Sequence, residues 1–229
     1  MTKIVTPPGK HRLITQPNHQ MKQQITMPSQ LEPNGYVLHE AFSHHELVAF
    51  VQPYMKKQNR YMIFYKVAAF LPLIFFFGLI GYHMGRGTFQ AAYLASIFKG
   101  FALLLLLLPV HELIHGAAYK YVGAPKVSYG VVWRQLVFYA QADKFVVGYQ
   151  PFKLIALAPF VCINLALLAL LPFSNMEWII TVIIAITMHN GMCAGDFALL
   201  SYFHENADKD MLTYDDASEK RTYFYQRKA

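Results

Sequence analysis

The segment HELIH, residues 111–115, contains two histidines and a glutamate whose spacing suits metal-dependent hydrolysis. Residues four apart share one face of a helix, so His111 and His115 can both reach one metal ion. Glu112 lies about 100° further round the helix, where it can act on a metal-activated water without being a ligand. This HExxH arrangement is typical of zinc hydrolases. We therefore predict that His111 and His115 bind Zn²⁺ and that Glu112 is the general base.

The motif lies inside an apolar stretch, residues 97–121, that is long enough to cross a bilayer. Six leucines precede Pro109, so a solvated patch is not expected there. Ionisable groups in a lipid-spanning helix are costly and usually have a function. The alternative is a pair of core histidines hydrogen-bonded to neighbouring helices.

A catalytic zinc usually has three protein ligands and one open position, so the two histidines require a partner. Asp196 is the best candidate, because a carboxylate buried in an apolar stretch needs a nearby cation. His189, Cys193 and Asp196 are spaced i, i+4, i+7 and would share a helix face. His189 or Cys193 could replace or supplement Asp196, or could be ordinary core residues. Gly191 and Gly195 form a small-xxx-small pair that predicts close helix packing beside the carboxylate.

The composition indicates a membrane protein. Hydrophobic residues make up 55% of the 229 residues and charged residues only 14%, whereas soluble domains have about 25% charged residues. The net charge of +7 could suggest a nucleic-acid partner, but the lysines and arginines mostly flank apolar segments. Lipid headgroups are therefore the expected partners, and no nucleic acid is predicted. Both cysteines fall in apolar stretches, which favours buried thiols over a disulfide scaffold.

The predicted fold class is mainly α and integral to the membrane. Four transmembrane helices are expected, with a short β-hairpin inserted between the second and the third. The hairpin strands are predicted at residues 127–133 and 136–140, around Arg134 and Gln135. This hairpin could hold a substrate as an added strand, or could be a lid over the site. The four predicted spans are residues 61–82, 96–119, 152–173 and 178–202.

Four regions follow from these patterns. Residues 1–35 are expected to be a disordered cytoplasmic tail, because they are polar and rich in Pro, Gln and Asn. Residues 36–60 are predicted as an amphipathic interfacial helix with an apolar stripe at residues 47, 50, 51 and 54. The adjacent histidines at 44 and 45 are expected to be solvated. Residues 61–203 form the four-span domain with the HExxH site, and residues 204–229 form a cytoplasmic tail that includes a small hairpin.

The loop charges predict the orientation of the chain. Lysines and arginines concentrate before the first span, between the second and third spans, and after the fourth. The other two loops hold Arg86 and almost no further positive charge. The positive-inside rule therefore places both termini and the long middle loop in the cytoplasm of a multi-pass cell-membrane protein.

Several segments together resemble a bacterial family of small membrane proteins with an HExxH motif, the "putative zincin peptidases". The resemblance begins near Tyr61 and is carried by four segments: PVHELIHGAAYKYVGAPKVSYG, LIALAPFVCINLALL, NGMCAGDFALLSY and the tail KDMLTYDD…TYFYQ. It implies a zinc peptidase with His111, His115 and Asp196 as ligands and Glu112 as general base. The same plan is similar, more distantly, to site-2 proteases, although Asp196 lies in an AGDF context here. Asn164 is interpreted as a polar contact between helices.

These observations predict a membrane-embedded zinc metallopeptidase that hydrolyses peptide bonds of protein or peptide substrates, including membrane-bound ones. The alternative is a catalytically inactive metal-binding or structural membrane protein. A peptidase that trims lipidated protein ends is a further alternative.

Overall fold

The computed structural model describes residues 25–132 and 137–228 of the chain. A short helix, α1 (Leu47–Met55), comes first in the described chain. Three long helices follow it: α2 (Arg60–Gly85), α3 (Ala92–Tyr121) and α4 (Tyr149–Leu170). Each is long and apolar enough to cross a membrane, as the first three predicted spans require.

The fourth predicted span is not one straight helix. It consists of α5 (Met176–Met192) and α6 (Ala194–Glu205), which are bent by 42° at the break between them. The prediction of a continuous helix over residues 178–202 is therefore wrong at Cys193. The described residues contain four candidate spans if this bent pair counts as one, and three if it does not.

A four-stranded antiparallel sheet covers one end of the helices. Its strands are β1 (Tyr36–Ser43), β4 (Val147–Gly148), β5 (Leu212–Asp216) and β6 (Arg221–Arg227). Their order in the sheet is β1-β6-β5-β4, so the first and last strands of the described chain are neighbours. Phe42 of β1 and Phe224 of β6 are buried, and both belong to the core formed with the helices.

This sheet corrects two predictions. Residues 36–60 are not one helix, because residues 36–43 form a strand that takes its backbone hydrogen bonds from β6. The apolar stripe of α1 packs on the protein core and on α6. Residues 204–229 are not simply a tail, although the predicted small hairpin is confirmed as β5 and β6.

The turn between β5 and β6 is held by the carboxylate of Asp216. Its Oδ1 accepts the backbone N–H groups of Ser218 at 2.9 Å and Glu219 at 3.0 Å, and its Oδ2 lies 3.3 Å from Lys144 Nζ. Burial alone would raise the pKa of Asp216. The Ser218 hydroxyl, which donates to Oδ1 at 2.5 Å, and the partners above outweigh burial and lower the pKa to about 2. The carboxylate therefore stays ionised and keeps the hairpin closed at neutral pH.

The N-terminal region is described only from residue 25. Residues 25–34 contain two 3₁₀ turns, and Leu31 is buried against Tyr36 and Val146. The prediction of disorder is therefore wrong for residues 25–34, where an apolar side chain fixes the backbone. The rest of the predicted tail, residues 1–24, lies outside the described residues.

The predicted hairpin between the second and third spans is confirmed. Strands β2 (Ser128–Val132) and β3 (Val137–Gln141) pair antiparallel, with Tyr129 opposite Ala140. They form a separate two-stranded sheet, and β3 packs against α3. The turn predicted at residues 134 and 135 lies outside the described residues.

Close contact between α3 and α5 depends on Gly100. A Cβ atom at this position would lie 2.6 Å from Ile184 Cγ2 and 2.9 Å from the backbone oxygen of Thr181. We expect Gly100→Ala to destabilise the protein by about 1–3 kcal/mol through overpacking. Thermal unfolding of the detergent-purified protein measures this effect.

The matched control is Gly78→Ala in α2, where an added Cβ would meet nothing within 4 Å. This variant should match the parent or gain up to about 1 kcal/mol from the better helix propensity of alanine. Equal stability of the two variants would show that α3 and α5 do not need the close approach at Gly100.

Candidate metal centre

His111 and His115 project from α3 towards one point. They are 4% and 8% exposed, and their Nε2 atoms lie 3.0 Å apart. The i, i+4 spacing places both rings on the same helix face, as predicted. Two imidazole nitrogens thus converge in the interior of the protein, where a shared partner is needed.

Contact with α4 fixes the ring of His115. Its Nδ1 lies 3.0 Å from the backbone oxygen of Ile155. A carbonyl oxygen can only accept, so the His115 Nδ1–H donates and the proton of the neutral ring lies on Nδ1. The Nε2 lone pair is then left for the shared point, which is the tautomer that a metal ligand requires.

Asp196 completes the cluster from α6. Its Oδ2 lies 3.5 Å from His111 Nε2, and its Oδ1 lies 3.4 Å from His115 Nε2. Ligands at zinc bond lengths of 2.0–2.2 Å in a tetrahedron lie about 3.3–3.6 Å apart, close to these separations. One ligand atom from each residue lies within 4.8 Å of the others. The donor set therefore fits a divalent metal such as zinc.

The break at Cys193 decides where this carboxylate points. Asp196 lies in the first turn of α6, where the positive end of the helix dipole favours a negative side chain. The 42° bend places His189 and Asp196 on different helices. Both side chains nevertheless contact His111, as their predicted common face requires. The Asp196 carboxylate therefore faces α3 and is stabilised by the N-terminal end of α6.

His189 and Cys193 form a second group around His111. His189 Nε2 lies 3.2 Å from His111 Nδ1, and Cys193 Sγ lies 3.9 Å from His189 Nε2. The described residues thus contain two groups of possible ligands: His111 with His115 and Asp196, and His111 with His189 and Cys193. Both groups contain His111, whose Nε2 faces Asp196 and whose Nδ1 faces His189.

Glu112 lies beside the histidines and faces a cavity. Ala140 of β3 lies beside its carboxylate, and the backbone N–H of Ala140 interacts favourably with it. Its Oε2 is buried and has no hydrogen-bond partner among the described residues. A buried carboxylate oxygen without a partner is costly unless a ligand or water completes it. Glu112 is therefore anchored on one side and available for chemistry on the other.

The cavity has a volume of about 220 Å³ and separates the helices from the two sheets. On the helix side it is lined by the cluster residues His111, Glu112, His115 and Asp196. The opposite wall comes from β3, β5, β6 and the residues after β1. A space bounded by a strand edge on one side and ligand atoms on the other can hold an extended chain.

The far end of the cavity contains polar groups that sequence reasoning missed. His44 was expected to be solvated, but it is buried, contacts the ring of Tyr139 and lies 3.8 Å from Asp215 Oδ1. Thr222 Oγ1 donates to the same carboxylate oxygen at 2.6 Å. His45 remains exposed. No local signal identified His44, because its burial depends on strands more than 90 residues away.

Two predictions about helix packing have different outcomes. A Cβ at Gly191 or Gly195 would meet nothing within 4 Å, so this pair does not provide the predicted close approach. Asn164 Nδ2 donates to Asn190 Oδ1 at 2.8 Å, and Asn190 Nδ2 donates to the backbone oxygen of Ala68. Asn164 therefore joins helices, as its interpretation as a packing residue requires.

Comparison with protein families gives one match. Residues 104–209 match a family described as "Putative zincin peptidase", which confirms the resemblance found in the sequence. The matched segment contains both histidines of the HExxH motif, Glu112 and Asp196. Neither a comparison with curated proteins nor one with solved structures gave a match.

Proposed function

From the match of residues 104–209 to the "Putative zincin peptidase" family, we propose that the protein is a membrane-embedded zinc metallopeptidase. In this proposal His111, His115 and Asp196 bind Zn²⁺, and Glu112 is the general base. The substrates are proteins or peptides that reach the cavity from the bilayer or its surface.

One observation carries the proposal: ligand atoms of three residues from two helices converge within 4.8 Å. The HExxH spacing alone places only the two histidines together. The carboxylate lies about 80 residues later in the chain, and the fold brings it to within 3.5 Å of both imidazoles. The set comprises two histidines and one carboxylate, as in known catalytic zinc sites that keep a position open for water.

The protein residues divide the chemistry between them. Bound zinc would supply Lewis-acid polarisation of a carbonyl and would lower the pKa of a water molecule. Glu112 is placed to take a proton from the attacking water, since its Oε2 is without a protein partner among the described residues. The same carboxyl group can return that proton to the leaving amine.

The hairpin of β2 and β3 supports a peptide as substrate. Ala140 of β3 and Glu112 line the same cavity, and in the described sheet β3 pairs only with β2, which leaves its other edge for a further strand. An extended peptide could pair with that edge and present its carbonyl beside Glu112. A helical membrane segment would have to unwind before it could bind in this way.

Membrane embedding is supported by the long apolar helices and their exposed side chains. Leu105, Leu106 and Phe98 of α3 are 67%, 68% and 74% exposed, which suits lipid contact. Together with the loop charges, these surfaces support a multi-pass cell-membrane protein with both termini in the cytoplasm.

Metal removal tests the proposal. We expect the purified protein to bind one zinc ion per chain and to cleave a set of single-span membrane proteins. Treatment with a chelator should reduce cleavage to the background rate, and added zinc should restore it. Lipidated peptides, assayed in parallel, distinguish trimming of protein ends from cleavage within membranes. Metal-independent cleavage, or zinc binding without cleavage of any substrate class, would contradict the proposed activity.

A further inference from the structure

His189 is a buried histidine for which the proposed reaction supplies no role. It lies on α5, is 0% exposed, and places its Nε2 3.2 Å from His111 Nδ1. Its Nδ1 has no hydrogen-bond partner among the described residues. A polar ring buried with one side unsatisfied requires an explanation, because most buried polar atoms are paired.

Proton positions explain why His111 needs this neighbour. A neutral imidazole carries one proton, on either Nδ1 or Nε2. His111 can bind a metal through Nε2 only if that nitrogen is free of a proton, so the proton must be on Nδ1. The nearest acceptor for Nδ1–H is His189 Nε2. The hydrogen bond then requires His189 to carry its own proton on Nδ1.

We infer that His189 is a positioning residue that accepts the Nδ1–H of His111 and so presents His111 Nε2 to the metal. This inference rests on the proposed function, since it assigns the metal to the group containing His115 and Asp196. His115 has the equivalent partner in the backbone oxygen of Ile155, at 3.0 Å. Each imidazole of the HExxH motif is therefore oriented by a different helix.

The two acceptors differ in one respect. The carbonyl of Ile155 can only accept, so it determines the tautomer of His115 at all times. An imidazole can also donate, so His189 allows a second arrangement in which its Nε2–H donates to His111 Nδ1. In that arrangement the proton of His111 lies on Nε2, 3.0 Å from the unprotonated Nε2 of His115 and 3.5 Å from Asp196 Oδ2. Metal binding requires the arrangement in which the proton of His111 is on Nδ1. Because His189 can either accept or donate, the metal-free protein can adopt both arrangements.

The competing interpretation is that His189 is itself a ligand. His111 Nδ1, His189 and Cys193 Sγ form the second possible ligand group. A metal there would leave His115 and Asp196 without one, although those two residues already converge with His111 Nε2. In the positioning role the metal binds to His111, His115 and Asp196, and His189 of the second group holds the His111 ring in place. Cys193 then has no role in metal binding.

Zinc affinity of the full-length protein tests the inference. His189→Leu keeps an apolar side chain but removes the acceptor, and we expect zinc affinity to fall about 10–100-fold, as for other outer-sphere partners of metal ligands. His189→Gln keeps an amide oxygen near the position of Nε2 and should restore most of the affinity. His189→Asn ends nearer the position of Nδ1 and should behave like leucine. Competition with a chelator measures all three dissociation constants.

Cys193→Ser is the matched control within the same group, and its zinc affinity should equal that of the parent. Cobalt-substituted parent protein should lack the near-ultraviolet charge-transfer band of a thiolate ligand. A thiolate band would indicate that Cys193 is a ligand. If Cys193→Ser also lost as much zinc affinity as His189→Leu, His189 and Cys193 would be metal ligands and the positioning role would be wrong. Parent-like affinity of His189→Leu would also overturn the inference. If that variant fails to fold, the contrast between glutamine and asparagine decides the question.

Failure of the proposed function gives a different pattern. It would leave the parent protein without zinc, or with zinc affinity that is insensitive to substitution of Asp196. Failure of the positioning role alone would leave zinc bound through Asp196 and would make every His189 variant equivalent to the parent.

Discussion

Replacement of Glu112 by glutamine is expected to stop peptide cleavage while leaving zinc bound. The amide matches the carboxylate in size and keeps an oxygen that can accept hydrogen bonds beside Ala140. It cannot take a proton from water, and the loss of a general base reduces rates by about 10²–10⁴-fold. Zinc content by elemental analysis and initial rates on a cleaved substrate measure the two effects separately.

Glu177→Gln is the control for this experiment. Glu177 lies at the start of α5, where its Oε2 contacts Lys99 Nζ at 3.2 Å on the surface. This variant should cleave at the parental rate. Unchanged cleavage or unchanged biological activity in Glu112→Gln would instead favour the alternative of a metal-binding protein without catalytic function.

Loss of zinc is the expected result of replacing Asp196 by alanine. The substitution removes the only carboxylate of the ligand group and leaves two imidazoles, His111 and His115. Removal of an outer-sphere partner already weakens zinc sites about 10–100-fold, so loss of a direct ligand should weaken binding by more than about 100-fold. Elemental analysis after dialysis against a weak chelator measures the remaining zinc.

Asp208→Ala provides the comparison, since Asp208 is an exposed residue that follows α6. It should retain the zinc content of the parent. Equal zinc in Asp196→Ala and the parent would remove Asp196 from the ligand set. Circular dichroism of both variants separates loss of the metal from loss of the fold.

The helices could be predicted from the sequence because their signal is local. Apolar runs of more than 20 residues predicted α2, α3 and α4, and the β2–β3 hairpin followed from its β-branched and aromatic residues. The break at Cys193 was not predicted. Its hydrophobic context continues across the bend, and a composition-based reading cannot distinguish a straight apolar helix from a bent pair.

The four-stranded sheet was missed because its pairings connect distant parts of the chain. Tyr36 of β1 lies opposite Arg227 of β6, a partner about 190 residues away. Residues 36–43 alternate only in part, and a bulge between Leu38 and Glu40 disrupts the period. Ser43 and Glu46 form a capping box that starts the helical turns at residue 44, so this local signal says nothing about the strand before it.

The sequence was enough to predict which residues are the candidate ligands, but it was not enough to predict which residues surround them. Motif spacing placed His111 and His115 on one face, and the chemistry of buried carboxylates suggested Asp196. His189 was recognised only as an open alternative, because its contact with His111 depends on how α5 packs against α3. The cavity wall opposite the motif depends on the long-range sheet.

The sheet also constrains how often the chain can cross a bilayer. β1 precedes α2, and β6 follows α6, yet these two strands are hydrogen-bonded neighbours. Strands that pair directly lie on the same side of a membrane, so the number of crossings between them must be even. The pairing of β4 with β5 applies the same parity to the segment between them, which contains α4 and the α5–α6 pair. If α4 crosses a bilayer, this parity requires the α5–α6 pair to cross back, which excludes a re-entrant loop for that pair.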